Sequence, residues 1–161
     1  MTAKEMFRKY HIYEPLSDVE LDSIASISQS KEYEAGATIF NEKGPAEELY
    51  VVEKGKVALQ MQLLLSQPQL TKKVTVDIVN PREVFGWSVL VAPYRYTLTA
   101  VCLEPTSVLA TDGIKLRALI DNNHRIGYQV LNQLIKVVAS RLDETCHMLI
   151  SERLLSLQGQ S

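Results

Sequence analysis

Apolar residues change their spacing twice along this chain. In the first thirty residues, Leu21, Ile24, Ala25 and Ile27 stand three or four apart, which predicts a helix. Ser17 precedes that helix and Glu20 follows three residues later, the pattern of a capping box. From Lys31 to Thr111 the spacing shortens to two. Short β-type runs follow one another: Thr38-Ile39-Phe40, residues 48–52, residues 56–62, residues 74–79, Tyr96 to Cys102, and residues 107–110. In Val74, Val76 and Ile78 every second residue is apolar. Turn residues separate the runs at Gly36, Gly44-Pro45, Lys54-Gly55, Pro68, Asn80-Pro81, Pro93 and Pro105. Gly36, Gly44 and Gly55 stand just before strand patterns, where tight turns call for positive φ. After Asp112-Gly113 helical spacing returns, first over residues 114–120 and then, without a proline, over residues 123–157.

Many short strands at close spacing predict a mainly β fold with flanking helices: a double-stranded β-helix, or jelly-roll, preceded by N-terminal helices and followed by a long C-terminal helix. The expected segments are a helical 1–30, a β-roll over 31–112, and a helical 113–161. A helix of this length overshoots a single small domain, and its apolar stripe needs a surface to cover it. A second copy of the same helix is the simplest cover. The expectation is a homodimer whose interface includes Leu134, Val138, Leu142, Cys146 and Leu149.

Composition adds exclusions. With 161 residues, 46% of them hydrophobic, the chain can bury a core without disulfide or metal staples. A net charge of -2 gives no basic surface for gripping nucleic acid, so no direct nucleic-acid contact is expected. No apolar run reaches the ~20 residues of a membrane span, and the first fifteen residues lack the apolar core of a signal peptide. Cys102 and Cys146 lie in unlike contexts, as free thiols of a cytoplasmic protein do. His11, His124 and His147 have no ligand-like spacing, and residues 31–111 contain no histidine, which argues against a metal-dependent jelly-roll enzyme. Neither a P-loop, a G-x-S-x-G nor a G-x-G-x-x-G is present.

Five stretches, in order, carry a more specific signal: residues 16–21 (LSDVEL), 33–40 (YEAGATIF), 44–57 (GPAEELYVVEKGKV), Val84-Phe85-Gly86, and Leu103-Glu104-Pro105-Thr106. Together they resemble the cyclic-nucleotide-binding domains, in particular the sensor half of the Crp/Fnr regulators, without the helix-turn-helix domain that follows the long helix in those proteins. The resemblance implies a ligand cassette formed here by Phe85, Gly86, Trp87, Ser88, Val89, Tyr94, Arg95, Tyr96 and Thr97. In that family a glutamate after Phe-Gly takes the ribose hydroxyl and an arginine pairs with the cyclic phosphate. Here Trp87 stands at the glutamate position. Aligning from Leu103-Glu104-Pro105 puts Tyr96 at the arginine position, with Arg95 beside it. Two readings follow. Trp87, Tyr94 and Tyr96 either fill the cavity as core or stack on a small planar or anionic ligand, a cyclic nucleotide included. The expectation is a regulatory sensor module rather than an enzyme. The alternative is a ligand-free dimeric interaction module, or the sensor half of a regulator.

Overall fold

The structure, a computed structural model, describes residues 2–64 and 71–159. Two short helices, α1 (Ala3–Phe7) and α2 (Asp18–Ser26), precede eight strands: β1 (Ser28–Tyr33), β2 (Thr38–Phe40), β3 (Glu48–Lys54), β4 (Val57–Leu64), β5 (Thr71–Val79), β6 (Val84–Phe85), β7 (Thr99–Cys102) and β8 (Thr106–Asp112). Helices α3 (Gly113–Asn122) and α4 (His124–Gln158) close the chain. The strands form two four-stranded antiparallel sheets, ordered β1-β8-β3-β6 and β2-β7-β4-β5. This is the jelly-roll that the strand spacing predicts.

Local signals account for most boundaries. The Ser17 hydroxyl accepts the Glu20 N–H at 3.3 Å, and the Glu20 carboxylate accepts the Ser17 N–H at 2.9 Å, so the capping box closes on itself. The Asn123 side chain accepts the Ile126 N–H and starts α4. Gly55 adopts φ +96°, and a Cβ there would lie 2.4 Å from the Thr106 hydroxyl. Gly44 does not take positive φ; its neighbour Lys43 does, at 68°.

Three elements depart from the expected pattern. Residues 28–30 are not helical but open β1, which pairs with β8 from Ser28 to Tyr33. Its sequence, Ser-Gln-Ser-Lys-Glu-Tyr, is polar because it forms a sheet edge, so no alternation marks it. The strand expected from Tyr96 starts only at Thr99. Residues 94–96 run as a loop instead, with the Tyr96 N–H donating to Gly44 O and Tyr96 O accepting from Lys43. Strand β6, only Val84–Phe85, is too short to show a period. The break expected at Pro68 lies outside the described residues.

Sheet β1-β8-β3-β6 separates two cores. Successive β3 residues point to opposite faces. Leu49 and Val51 pack with Ile12, Tyr13, Leu16, Leu21 and Ile24 and with Leu116, Ile126, Val130 and Leu134 of the last two helices. Tyr50 and Val52 point into the roll, with Val57, Leu59, Val79, Phe85, Tyr96 and Val108. Both faces are covered, which is why Leu-Tyr-Val-Val reads as an unbroken apolar run. Tyr13 lies at the floor of the helical core, its hydroxyl 3.1 Å from that of Thr111. Burial pushes its pKa up to about 12.

Candidate functional site

The cassette begins at β6. Gly86 follows with φ +78°, where a Cβ would sit 3.1 Å from the Tyr50 ring. That left-handed residue turns the chain into a single 3₁₀ turn, Trp87–Leu90. Val89 is buried and plugs the turn into the helical core.

Inside the roll, four rings stack in series. Tyr96 lies on Phe40 with centroids 3.7 Å apart and planes 12° from parallel. Phe40 continues to Tyr50 at 5.7 Å and to Phe85 at 6.0 Å, and Tyr50 meets Phe85 at 5.1 Å. The Tyr96 hydroxyl is held from both sides: it donates to Glu48 O at 2.6 Å and accepts from Glu48 N–H at 3.1 Å. Burial first, then the nearby Glu48 carboxylate, raises the Tyr96 pKa, outweighing the backbone bonds that favour the phenolate. Burial raises Tyr50 further still. Both phenols stay neutral donors at physiological pH. What remains of the cavity is a recess of about 30 Å³ between Phe40, Leu59, Gly86, Trp87, Tyr96 and Thr97.

The expected cassette residues therefore divide. Phe85, Val89 and Tyr96 are buried. Gly86, Trp87 and Ser88 are partly buried and border the recess. Thr97 is exposed at its rim. Tyr94 and Arg95 point away from it. The Tyr94 ring lies under the Arg117 guanidinium at 4.0 Å, and Arg117 also donates to Val89 O. Arg95 is exposed and donates to Lys43 O at 2.8 Å. Trp87 shares the recess with Tyr96 but turns its ring toward α4, where the Arg141 guanidinium covers it at 4.7 Å.

A family model for the cyclic nucleotide-binding domain matches residues 30–123. The chain belongs to the cyclic nucleotide-binding domain family. It is 32% identical to a Geobacter metallireducens GS-15 protein described as cyclic nucleotide-binding, with a TM-score of 0.76 over 88% of this chain and 99% of that one. A CRP-like cAMP-activated global transcriptional regulator of Mycobacterium tuberculosis is 27% identical over 130 residues, 79% of this chain. The chain spans about half the length of that relative, 54%. The Thermus thermophilus catabolite activator protein is 29% identical, with a TM-score of 0.68 over 86% of this chain and 61% of that one.

Within this cyclic nucleotide-binding domain, sequence reasoning missed four contributors. Phe40 and Tyr50 complete the stack; both were visible as aromatics in strand runs, but nothing local says which face they take. Arg141 and Asp77 form an ion pair at 2.9 Å between α4 and β5. Asp77 takes a polar position in the alternation of Val74, Val76 and Ile78, where a charged residue is expected, so no local signal marked it. Beside this pair a groove of about 520 Å³ opens between β5, β6 and α4, bordered by Arg82, Glu83, Lys136 and Glu144 among others.

The expected interface residues also divide. Leu134 is buried in its own chain's core, and Val138 is half-buried against it. Leu142, Cys146 and Leu149 are exposed, as are Leu131 and Ile135. At 3.6 residues per turn, Leu131, Ile135, Val138, Leu142, Cys146 and Leu149 fall within an arc of roughly 80°, turned about a third of a circle from the face of Ile126, Val130 and Leu134. Among the described residues no helix is long and apolar enough to cross a membrane.

Proposed function

We propose that this domain is a cytoplasmic, non-enzymatic regulatory module whose nucleotide cavity is closed by its own side chains, and that it acts as a homodimer through α4. The observation that carries the reading is the Tyr96 stack. Ligand pockets run to roughly 300–1,000 Å³, and the recess left beside Tyr96 measures about 30 Å³. The residues that remain do not fit a cyclic nucleotide. Trp87 offers one N–H donor and no acceptor, so it cannot replace a carboxylate facing a ribose hydroxyl. Tyr96, at the position where the family places its phosphate arginine, spends its hydroxyl on Glu48. Arg95, the nearest guanidinium in sequence, lies on the outer surface with its Nη1 on Lys43 O. The dimer reading rests on Leu131, Ile135, Leu142 and Leu149, each between 45% and 63% exposed on one stripe of a helix.

Isothermal calorimetry with cyclic AMP and with cyclic GMP tests the closed cavity. The expected result is no saturable heat at ligand concentrations up to about 1 mM, the level that corresponds to only ~4 kcal/mol of binding free energy. Low-micromolar binding of either nucleotide would overturn the reading, since it requires the stack to open.

A further inference from the structure

From Leu142 to Gln158 every residue of α4 is exposed. Arg141 is the last residue of α4 that is not exposed, and it touches three separate pieces of the roll. Its Nε pairs with Asp77 on β5 at 2.9 Å. Its Nη2 donates to Val84 O on β6 at 3.3 Å. Its guanidinium plane covers the Trp87 ring of the cassette turn at 4.7 Å. The side chain is only 18% exposed, so these contacts are shielded from solvent. Burial lowers its pKa below the ordinary arginine value, and the carboxylates of Asp77, Glu83 and Glu144 offset part of that cost. A guanidinium suits this place because its planar fork can stack and bond in two directions at once, which an ammonium cannot.

We propose that Arg141 is a built-in clamp that fixes the direction of the distal half of α4 by tying it to β5, β6 and the cassette turn together. The clamp uses the chain's own groups. Helix α4, β5, β6 and the cassette turn thereby form one mechanical unit, and a change in any of the three contacts is transmitted to residues 142–158. Arg141 acts as a positioning residue, and its contribution is independent of any ligand in the roll.

Hydrogen exchange by mass spectrometry on the full chain tests this at one fixed protein concentration, comparing the wild type with Arg141→Gln, Asp77→Asn, the double variant and Arg141→Lys. Loss of a shielded charged hydrogen bond is worth about tenfold in a local opening equilibrium. Exchange should rise about tenfold in both 71–79 and 136–147 in each single variant, while β3 and β8 keep their rates. The double variant should be no worse than Arg141→Gln alone. Arg141→Lys should behave like Arg141→Gln, and Trp87 emission should move to the red in both. Should Arg141→Gln fail to fold, Asp77→Asn carries the test, since it leaves the arginine in place. Unchanged rates in 71–79, or additive effects in the double variant, would overturn the clamp and reduce Arg141 to an ordinary pair.

Discussion

The interior of the roll and the distal half of α4 treat apolar surface in opposite ways. Inside the roll, Phe40, Tyr50, Phe85 and Tyr96 cover one another, and even the Tyr96 hydroxyl finds both a donor and an acceptor on Glu48. Along residues 142–158, Leu142, Leu149, Ile150, Leu154 and Leu157 are each 48–66% exposed. A stretch of about 25 Å of helix has no covering surface within the chain, and an isolated helix of that length is marginal in water. A fold of this family has two places to recognise something, the cavity and the helix. Here the first is satisfied internally and the second is not, which puts the molecule's unmet need on the helix.

The comparison can be broken from either side. Phe85→Ala removes the ring that joins Tyr50 and Phe40 at zero exposure. A loss of about 3–5 kcal/mol is expected in urea unfolding. A loss below about 1 kcal/mol would mean that the stack carries little of the roll's stability. Leu142→Glu places a charge on the exposed stripe. It should weaken self-association by about a hundredfold or more in sedimentation equilibrium while leaving the urea midpoint of the roll nearly unchanged. Equal association of variant and wild type would move the interface elsewhere.

Smaller effects sharpen the contrast. Tyr96→Phe keeps the ring but strands the Glu48 N–H and carbonyl, at a cost of about 1–3 kcal/mol; a neutral result would show that water replaces the hydroxyl. Glu20→Gln probes how α2 is tied to α4. Burial alone would raise the Glu20 pKa, but the Ser17 N–H and hydroxyl and the Arg125 guanidinium outweigh it and hold the carboxyl below its ordinary range. A lowered folded-state pKa stabilises above the unfolded value and is lost as pH falls through the folded one. Glu20→Gln should therefore cost about 1 kcal/mol near neutrality and progressively less as the pH drops below the ordinary carboxylate range. A pH-independent difference between the two proteins would contradict that sign.

Much of the architecture is legible in the spacing of apolar residues because each strong period had one physical cause. The capping box at Ser17 and Glu20 is local, and so is the unbroken run of α4. Polar β1 and the two-residue β6 are not legible, since pairing with β8 and β3 rather than local patterning makes them strands. At the site, Trp87 and Tyr96 could be singled out by position against the family pattern. Their directions could not: Tyr96 turns inward because residues 94–96 loop out of the strand, and Trp87 turns toward α4 because Arg141, fifty-four positions later, caps its ring. The stripe on α4 was visible as a whole, but only the packed fold tells Leu134, which faces its own core, from Leu142, which does not.

Hydrogen exchange of the wild-type chain, followed at two protein concentrations with and without 1 mM cyclic AMP, reads both regions at once. The account predicts that protection of residues 142–158 rises with protein concentration, while residues 84–98 exchange at the same rate whether or not the nucleotide is present. Slowed exchange in 84–98 on adding cyclic AMP, together with concentration-independent exchange in 142–158, would contradict it.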